Sequence, residues 1–132
     1  MTTESLTVVI DVPRGSFIKR DDAGAVDFVS PIPCPFNYGH VPGTLAEDGD
    51  ALDAVVLGPK RPFGSTAEVA TRARVDFIDA GQSDPKWVCA DAPLSGFERF
   101  QVAGFFRCYA VAKGLINRVR GKRGPTRYLG WL

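Results

Sequence analysis

The chain has 132 residues, 45% of them apolar, and a formal net charge of +1, which suits a single compact domain over residues 1–132. Without a signal-peptide pattern or an apolar run long enough to span a bilayer, a soluble, cytoplasmic protein is expected. Three cysteines without CxxC spacing and a single histidine, His40, argue against a disulfide framework, a zinc site and a histidine-based nucleophilic relay.

The first forty residues show short strand patterns separated by turns. Residues 6–12 are rich in β-branched side chains and are followed by a proline, which predicts a strand. A second short strand is predicted at 17–19 and a third at 25–29. Residues 31–39 begin with too many prolines for regular structure, so they are predicted to form a shaped loop.

The rest of the chain combines core strands with one helix. Three core strands are predicted, at 52–58, 67–78 and 86–89. Ser95 and Glu98 have the spacing of a capping box and Gly114 supplies a stop, which together predict a helix over about 95–113. Its apolar side chains recur at three and four residues and are expected to pack on the sheet: Phe97, Phe100, Ala103, Phe105, Phe106, Tyr109 and Val111. The predicted class is α+β, a small β-barrel with a flanking helix.

Charge is distributed unevenly along the chain. Eight acids lie between Glu47 and Asp84, but none follows Glu98. Residues 113–127 hold six cations instead, and residues from about 114 to 132 are expected to form a basic C-terminal tail. Such a tail could bind nucleic acid or another polyanion, but it could equally be a solvated end or a subunit contact.

Three aspartates fall within six residues, namely Asp48, Asp50 and Asp53, at the start of a predicted core strand. Like charges this close together repel unless a cation neutralises them. Carboxylate oxygens suit Mg²⁺ or Mn²⁺, and bound Mg²⁺ commonly shares substrate phosphates. A calcium-binding EF-hand does not fit, because Asp53 stands where that loop requires glycine. Alone, this first acidic loop, residues 47–53, could also be a solvated turn.

A second acidic loop lies at residues 79–86. Asp79 and Asp84 stand on either side of a glycine turn, and Lys86 follows two positions after Asp84. If the strands bring the two acidic loops together, five aspartates meet in a pocket with a lysine at its rim. This is the composition of a phosphoryl-transfer site that uses several metal ions.

These motifs resemble those of the family I soluble inorganic pyrophosphatases. The family signature Asp-x-Asp-Pro-hydrophobic-Asp corresponds to residues 48–53, with Ala51 in place of proline. Four further segments match: the opening strand at 8–13, with Asp11 in place of glutamate, the Asn-Tyr-Gly segment at 37–39, the Asp-x4-Asp-x-Lys spacing at 79–86, and the Phe-Phe-x-x-Tyr helix at 105–109. The resemblance covers roughly residues 6–112.

The resemblance implies Mg²⁺-dependent hydrolysis of inorganic pyrophosphate to two phosphates, with water as the nucleophile, on a five-stranded OB-like barrel. Asp50 would accept the proton of the attacking water. Two or more Mg²⁺ ions, or Mn²⁺, would be held by Asp11, Asp48, Asp53, Asp79 and Asp84. Phosphate oxygens would be bound by Lys19, Tyr38, Lys86 and Tyr109. A homo-oligomer is expected, without a nucleic-acid or membrane partner.

Two cations of the family pattern are missing from this sequence. Residues 25–29 contain no arginine, and Ala110 stands where the family has a lysine after the helix tyrosine. Each missing cation removes about 1.5–3 kcal/mol of charge-assisted contact with the substrate. Arg14, Arg20, Lys113 or the basic tail could substitute. Two alternatives stay open: hydrolysis of another small phosphate or diphosphate ester, and a non-catalytic OB-like module that binds a polyanion.

Overall fold

The computed structural model describes residues 5–20, 25–29, 33–47 and 49–132, with only the backbone of residues 19, 20 and 27–29. That part of the chain forms nine strands and one helix. In chain order they are β1 (Ser5–Val12), β2 (Ile18–Arg20), β3 (Val26–Val29), β4 (Asn37–Val41), β5 (Leu52–Val56), β6 (Thr66–Asp79), β7 (Gln82–Ser83), β8 (Lys86–Cys89), α1 (Gly96–Val119) and β9 (Arg127–Trp131). The predicted combination of a sheet and a helix is confirmed.

One seven-stranded sheet organises the molecule. Its order is β1-β4-β5-β8-β6-β7, β9 also pairs with β6, and β1 pairs with β6 as well as with β4. The pair β5 and β8 is parallel, whereas β2 and β3 form a separate antiparallel sheet. Because β5 and β8 run in the same direction, the acidic loops that precede them lie at the same edge of the sheet.

Apolar side chains pack on both faces of this sheet. One cluster joins the sheet to α1 and contains Val12, Cys34, Phe36, Tyr38, Val55, Val75, Phe77, Val88, Val102, Phe105, Phe106 and Ala110. The other contains Val8, Ile10, Val41, Ala54, Val56, Ala67, Val69 and Cys89. Successive strand residues point to opposite faces, so Val55 belongs to the first cluster and its neighbours Ala54 and Val56 to the second. Strand β5 is therefore buried on both faces.

Strand β4 corrects the prediction of a loop over 31–39. Residues 31 and 32 lie outside the described part of the chain, but the backbone from Asn37 onwards pairs with both β1 and β5. No proline lies between Pro35 and Pro42, so the backbone of these residues is able to join the sheet. A side chain at Gly39 would overlap the carbonyl oxygen of Val9. Glycine is required there because β1 passes close to β4.

Helix α1 begins as predicted but ends later. The Ser95 hydroxyl accepts a hydrogen bond from the Glu98 N–H, and the Glu98 carboxylate accepts one from the Ser95 N–H, which completes the capping box. The predicted end at Gly114 is wrong, because α1 continues to Val119. A glycine inside a helix costs about 1 kcal/mol, which does not terminate a helix that is held by packing. The end is set by Gly121, which has a φ of 74°.

The buried face of α1 differs in part from the predicted apolar face. Phe97, Phe100 and Val111 are exposed, whereas the buried residues of α1 are Val102, Phe105, Phe106, Ala110, Lys113 and Asn117. Apolar spacing identified the central aromatic residues but not the two polar members. Lys113 and Asn117 face the protein interior.

The segment expected to be a basic tail belongs to the fold instead. Residues 114–119 lie in α1, and β9 pairs with β6 from Val75 to Ile78. The connection between α1 and β9 also packs against the second acidic loop, because the Gly81 N–H donates to the Pro125 carbonyl oxygen. Residues 114–132 therefore do not form a separate solvated end.

The cysteines take no part in a disulfide. Cys34 and Cys89 are buried, Cys108 is exposed, and all three are free thiols. Burial raises the pKa of Cys34 and of Cys89 to about 11. No helix in the described part of the chain is both long enough and apolar enough to span a membrane.

Candidate active site

The strand registers place polar side chains in a row across the sheet. His40 on β4 lies opposite Asp53 on β5, and Asp53 lies opposite Lys86 on β8. Asp11 joins this row from β1, where the pairing with β4 shifts register. Val55, two residues beyond Asp53, points into the cluster under α1, so Asp53 is on the same face. The row therefore lies on the side of the sheet that the helix covers.

Lys86 joins two aspartates at the centre of the site. Its side chain is 1% exposed, and its Nζ donates to Asp53 Oδ2 at 2.7 Å and to Asp84 Oδ2 at 2.6 Å. Burial alone would lower the pKa of Lys86, but the charges of Asp53 and Asp84 outweigh burial and hold this pKa above that of a free lysine. Lys86 therefore stays charged, and two carboxylates converge on one cation.

Two tyrosines enclose the Lys86 ammonium. The Tyr38 hydroxyl donates to Asp53 Oδ2 at 2.8 Å. The rings of Tyr38 and Tyr109 stack with their centroids 6.3 Å apart, and Lys86 Nζ lies 5.9 Å from each centroid. Burial, followed by the negative charge of Asp53, raises the pKa of Tyr38 well above that of a free tyrosine. The Tyr38 hydroxyl therefore keeps its proton and acts as a donor.

His40 and Asp11 form a pair at the end of the row. His40 Nδ1 lies 2.8 Å from Asp11 Oδ2, and both side chains are partly buried. Asp11 was predicted as a metal ligand, but sequence reasoning gave His40 no role. His40 follows Tyr38 by two residues in the same strand, and this spacing places both side chains on one face. This two-residue spacing from Tyr38 is the sequence signal that could have placed His40 in the site.

Asp79 is positioned by a tight turn and by α1. Strand β6 ends at Asp79, and the next two residues have positive φ angles of 50° and 83°, as a two-residue hairpin turn requires. Asn117, which is buried, donates from Nδ2 to Asp79 Oδ1 at 2.7 Å and to Thr126 Oγ1 at 2.9 Å. Sequence reasoning missed Asn117. Its position about two helical turns after Tyr109 places it on the same helix face.

The two acidic loops meet at the edge of the sheet. Glu47 Oε2 accepts a hydrogen bond of 2.9 Å from the Ser83 N–H, which joins the first loop to the second. Asp50 is exposed, and its carbonyl oxygen accepts a hydrogen bond from the Ala46 N–H at 2.7 Å. Asp48 lies outside the described residues, so its predicted role as a ligand stays a prediction.

The remaining predicted cations lie elsewhere or are described only in part. Lys19 and Arg20 belong to β2, but their side chains are outside the described part of the structure. The guanidinium of Arg14 donates to the Gly58 carbonyl oxygen at 3.0 Å on the surface. The Arg14 guanidinium therefore binds a backbone carbonyl group on the surface and does not lie in the cluster formed by Lys86, Tyr38 and Tyr109.

The carboxylates suit Mg²⁺ in their chemistry but are not gathered into one cluster. Asp53 and Asp84 direct Oδ2 atoms at a single ammonium, so these oxygens already converge on a cation. Such oxygens are the ligands that Mg²⁺ prefers. Within the described ranges, however, no three Asp, Glu, His or Cys side chains are grouped closely enough to hold a metal ion. Asp11 and Asp79 instead contact His40 and Asn117.

Comparisons with known proteins identify the family. The family model for inorganic pyrophosphatase matches residues 8–120. The inorganic pyrophosphatase of Synechocystis sp. is 32% identical to this chain, over 96% of the chain and 81% of the relative. The crystal structure of the Thermus thermophilus inorganic pyrophosphatase has a TM-score of 0.76 and 28% identity, covering 97% of this chain and 82% of the other. The Coxiella burnetii inorganic pyrophosphatase shares the fold, with a TM-score of 0.77 at 23% identity over 100% and 88% of the two chains. The chain therefore belongs to the inorganic pyrophosphatase family.

Proposed function

We propose that this protein hydrolyses inorganic pyrophosphate to two phosphates. The observation that carries the proposal is the convergence of Asp53, Asp84 and Tyr38 on Lys86, in a chain that belongs to the inorganic pyrophosphatase family. In the reaction, a water oxygen attacks one phosphorus atom and the bond from that phosphorus to the bridging oxygen breaks. The water proton passes to a base, and both products leave as phosphate.

Asp50 is the proposed base for this step. It stands in the first acidic loop, two residues before the β5 strand, and its side chain is exposed to solvent, where a water molecule can reach it. A general base in this position contributes about 10²–10⁴-fold to a rate. The proposed nucleophile is solvent, and the single histidine of the sequence, His40, lies against Asp11 at the end of the row.

The proposed phosphate-binding side chains are Lys19, Tyr38, Lys86 and Tyr109. Two of the three N–H donors of Lys86 are used by Asp53 and Asp84, so one remains for a phosphate oxygen. The Tyr38 hydroxyl is a protonated donor beside it. Charge-assisted hydrogen bonds of this kind stabilise the negative charge that develops on the leaving phosphate.

We infer that the site uses Mg²⁺, with Mn²⁺ as the alternative. The proposed ligands are Asp11, Asp48, Asp53, Asp79 and Asp84. When bound, the metal ions would lower the pKa of a coordinated water and offset phosphate charge. Asp53 and Asp84 support this assignment most directly because their oxygens already face one cation.

The pairing of β1 with both β4 and β6 supports an OB-like barrel made of β1, β4, β5, β8 and β6.

A homo-oligomer is supported by exposed apolar side chains along α1, namely Phe97, Phe100, Val111, Leu115 and Val119. Light scattering of the purified protein would test this assembly, and a monomer at all concentrations would contradict it. A cytoplasmic location stays a prediction from the sequence.

Phosphate release from a panel of substrates tests the proposed function. Pyrophosphate, nucleoside phosphates and sugar phosphates would each be incubated with the protein and Mg²⁺. Pyrophosphate is expected to be the preferred substrate. Release from an organic phosphate alone would overturn the substrate assignment while leaving a working metal site.

A further inference from the structure

A cavity beside the C-terminal half of α1 has no role in the proposed mechanism. It has a volume of about 420 Å³ and lies between α1 and residues 122–127. Volumes of about 300–1,000 Å³ are typical of sites that bind small molecules. Three cations line this cavity, namely Arg118, Lys122 and Arg127, and its lining within the described part of the chain contains no acidic residue. We propose that the cavity is a regulatory site for a small organic phosphate.

The lining of the cavity matches a phosphate group joined to an apolar group. All three cations are exposed, so an anion reaches them directly from solvent. Guanidinium and ammonium groups form charge-assisted hydrogen bonds with phosphate oxygens. Apolar surface comes from four other lining residues, namely Ala110, Val111, Leu115 and Pro125. A nucleoside diphosphate such as ADP offers both chemistries, whereas inorganic phosphate leaves the apolar surface without a partner.

Gly114 leaves the space beside α1 open. It lines the cavity from inside the helix, where glycine is disfavoured relative to alanine. A Cβ at this position would meet Thr126 Cβ at 3.9 Å, which is an ordinary contact, so packing does not require glycine here. A longer side chain at position 114 would fill part of the cavity. Gly114→Leu therefore closes the proposed site without changing its charge.

The wall of the cavity formed by residues 122–127 supports the second acidic loop. The Ala80 N–H donates to Thr126 Oγ1 at 3.1 Å, and the Gly81 N–H donates to the Pro125 carbonyl oxygen at 2.8 Å. Pro125 and Thr126 both line the cavity. A ligand that holds this wall in place therefore protects the Ala80 and Gly81 N–H groups from exchange with solvent.

Asn117 extends the same contact to a carboxylate of the proposed metal site. It lines the cavity and donates from Nδ2 to Thr126 Oγ1 at 2.9 Å and to Asp79 Oδ1 at 2.7 Å. Its Oδ1 accepts no hydrogen bond from the described residues, so these two contacts of Nδ2 orient the amide. A ligand that restrains Thr126 therefore restrains Asp79 as well. This effect on Asp79 rests on the proposed function, whereas binding of the ligand does not.

Calorimetric titration with ADP tests binding. A chelator in the buffer removes metal ions that would bind phosphate at the active site. Lys122→Met should weaken ADP binding at least about tenfold, and Gly114→Leu should weaken it as well. Arg123→Met is the matched control, because Arg123 is an exposed neighbour of Lys122 that does not line the cavity, and it should bind ADP like the wild type. Inorganic phosphate should bind more weakly than ADP.

Light scattering of the same samples fixes the oligomeric state in which binding is measured. This control is needed because Val111 and Leu115 also belong to the apolar side chains proposed for assembly. No binding of ADP by the wild type, or equal affinities of Lys122→Met and Arg123→Met for ADP, would overturn the proposed site while the proposed function stands. Binding of inorganic phosphate as tightly as ADP would overturn the assignment to an organic phosphate.

Hydrogen exchange tests the connection to the second acidic loop. ADP should slow exchange of the Ala80 and Gly81 N–H groups in the wild type and in Arg123→Met but not in Lys122→Met. It should also lower the free Mg²⁺ concentration for half-maximal hydrolysis of pyrophosphate. ADP binding with unchanged exchange would overturn the regulatory role. A wild-type protein that binds ADP in this way but does not hydrolyse pyrophosphate would overturn the proposed function and leave the binding site intact.

Discussion

Replacing Lys86 with methionine tests the electrostatics at the centre of the site. The variant keeps the apolar stem but removes the charge that lies 2.7 Å from Asp53 Oδ2 and 2.6 Å from Asp84 Oδ2. Removing one partner of a buried ion pair costs about 3–5 kcal/mol, because the remaining charge loses its counter-ion. In metal-free buffer at pH 7, Lys86→Met should lose about this much of its free energy of unfolding.

Urea unfolding of the wild type and the variant, with a chelator present, measures the difference. The pKa of Lys86 is raised in the folded protein, so its stabilising contribution is fully present below pH 10.5 and is lost as pH rises through the folded value. The difference between the two proteins should therefore stay constant near neutral pH and narrow only under strongly alkaline conditions. Exposed Lys60 provides the control, and Lys60→Met should change stability by less than about 0.5 kcal/mol.

Added Mg²⁺ gives a second measure of the same interaction. If Asp53 and Asp84 bind a metal ion as proposed, the ion has to compete with Lys86 for them in the wild type but not in Lys86→Met. Mg²⁺ should therefore stabilise the variant more than the wild type. Equal unfolding midpoints for Lys86→Met and the wild type without metal would refute the reasoning.

Four further substitutions test the supporting contacts and the packing. Tyr38→Phe removes one hydrogen-bond donor and should lower kcat/KM about tenfold with little change in stability, and an unchanged kcat/KM would exclude Tyr38 from substrate binding. Asn117→Leu removes a donor to Asp79 and should lower the melting temperature and raise the Mg²⁺ concentration for half-maximal activity; an unaltered Mg²⁺ dependence would show that Asn117 does not position that carboxylate. Gly39→Ala should prevent stable folding, because the added Cβ overlaps the Val9 carbonyl oxygen. Gly104→Ala places its Cβ in open space on the helix and should raise the free energy of unfolding by about 0.5–1 kcal/mol in urea unfolding. A stable Gly39→Ala variant together with a destabilised Gly104→Ala variant would contradict the packing.

Local sequence patterns predicted most of the fold. Strand β8 was predicted at its observed bounds, and the Ser95 capping box located the start of α1, because both depend on a few neighbouring residues. Strand β9 was missed because it is held by pairing with β6, about fifty residues earlier in the chain. The end of α1 was misplaced because a helix with a packed face tolerates an internal glycine such as Gly114.

Motif spacing predicted the acidic residues of the site better than their partners. Asp84 and Lys86 are two residues apart, and the structure joins them as an ion pair to Asp53 from another strand. The burial of Asn117 and of Lys113, which the sequence offered only as one substitute for a missing cation, was not predicted, because polar residues on a helix face usually meet solvent. Their burial depends on the close approach of α1 to the acidic loops, which only the folded chain reveals.

Phosphate release from pyrophosphate in the presence of Mg²⁺, measured for the wild type and for Asp50→Asn, tests the central claim most directly. The wild type should release phosphate only with the metal, and Asp50→Asn should be slower by about 10²–10⁴-fold because it cannot accept the proton of the attacking water. Equal rates for the two proteins would contradict Asp50 as the base. A wild-type protein that releases no phosphate from pyrophosphate would contradict the proposed function.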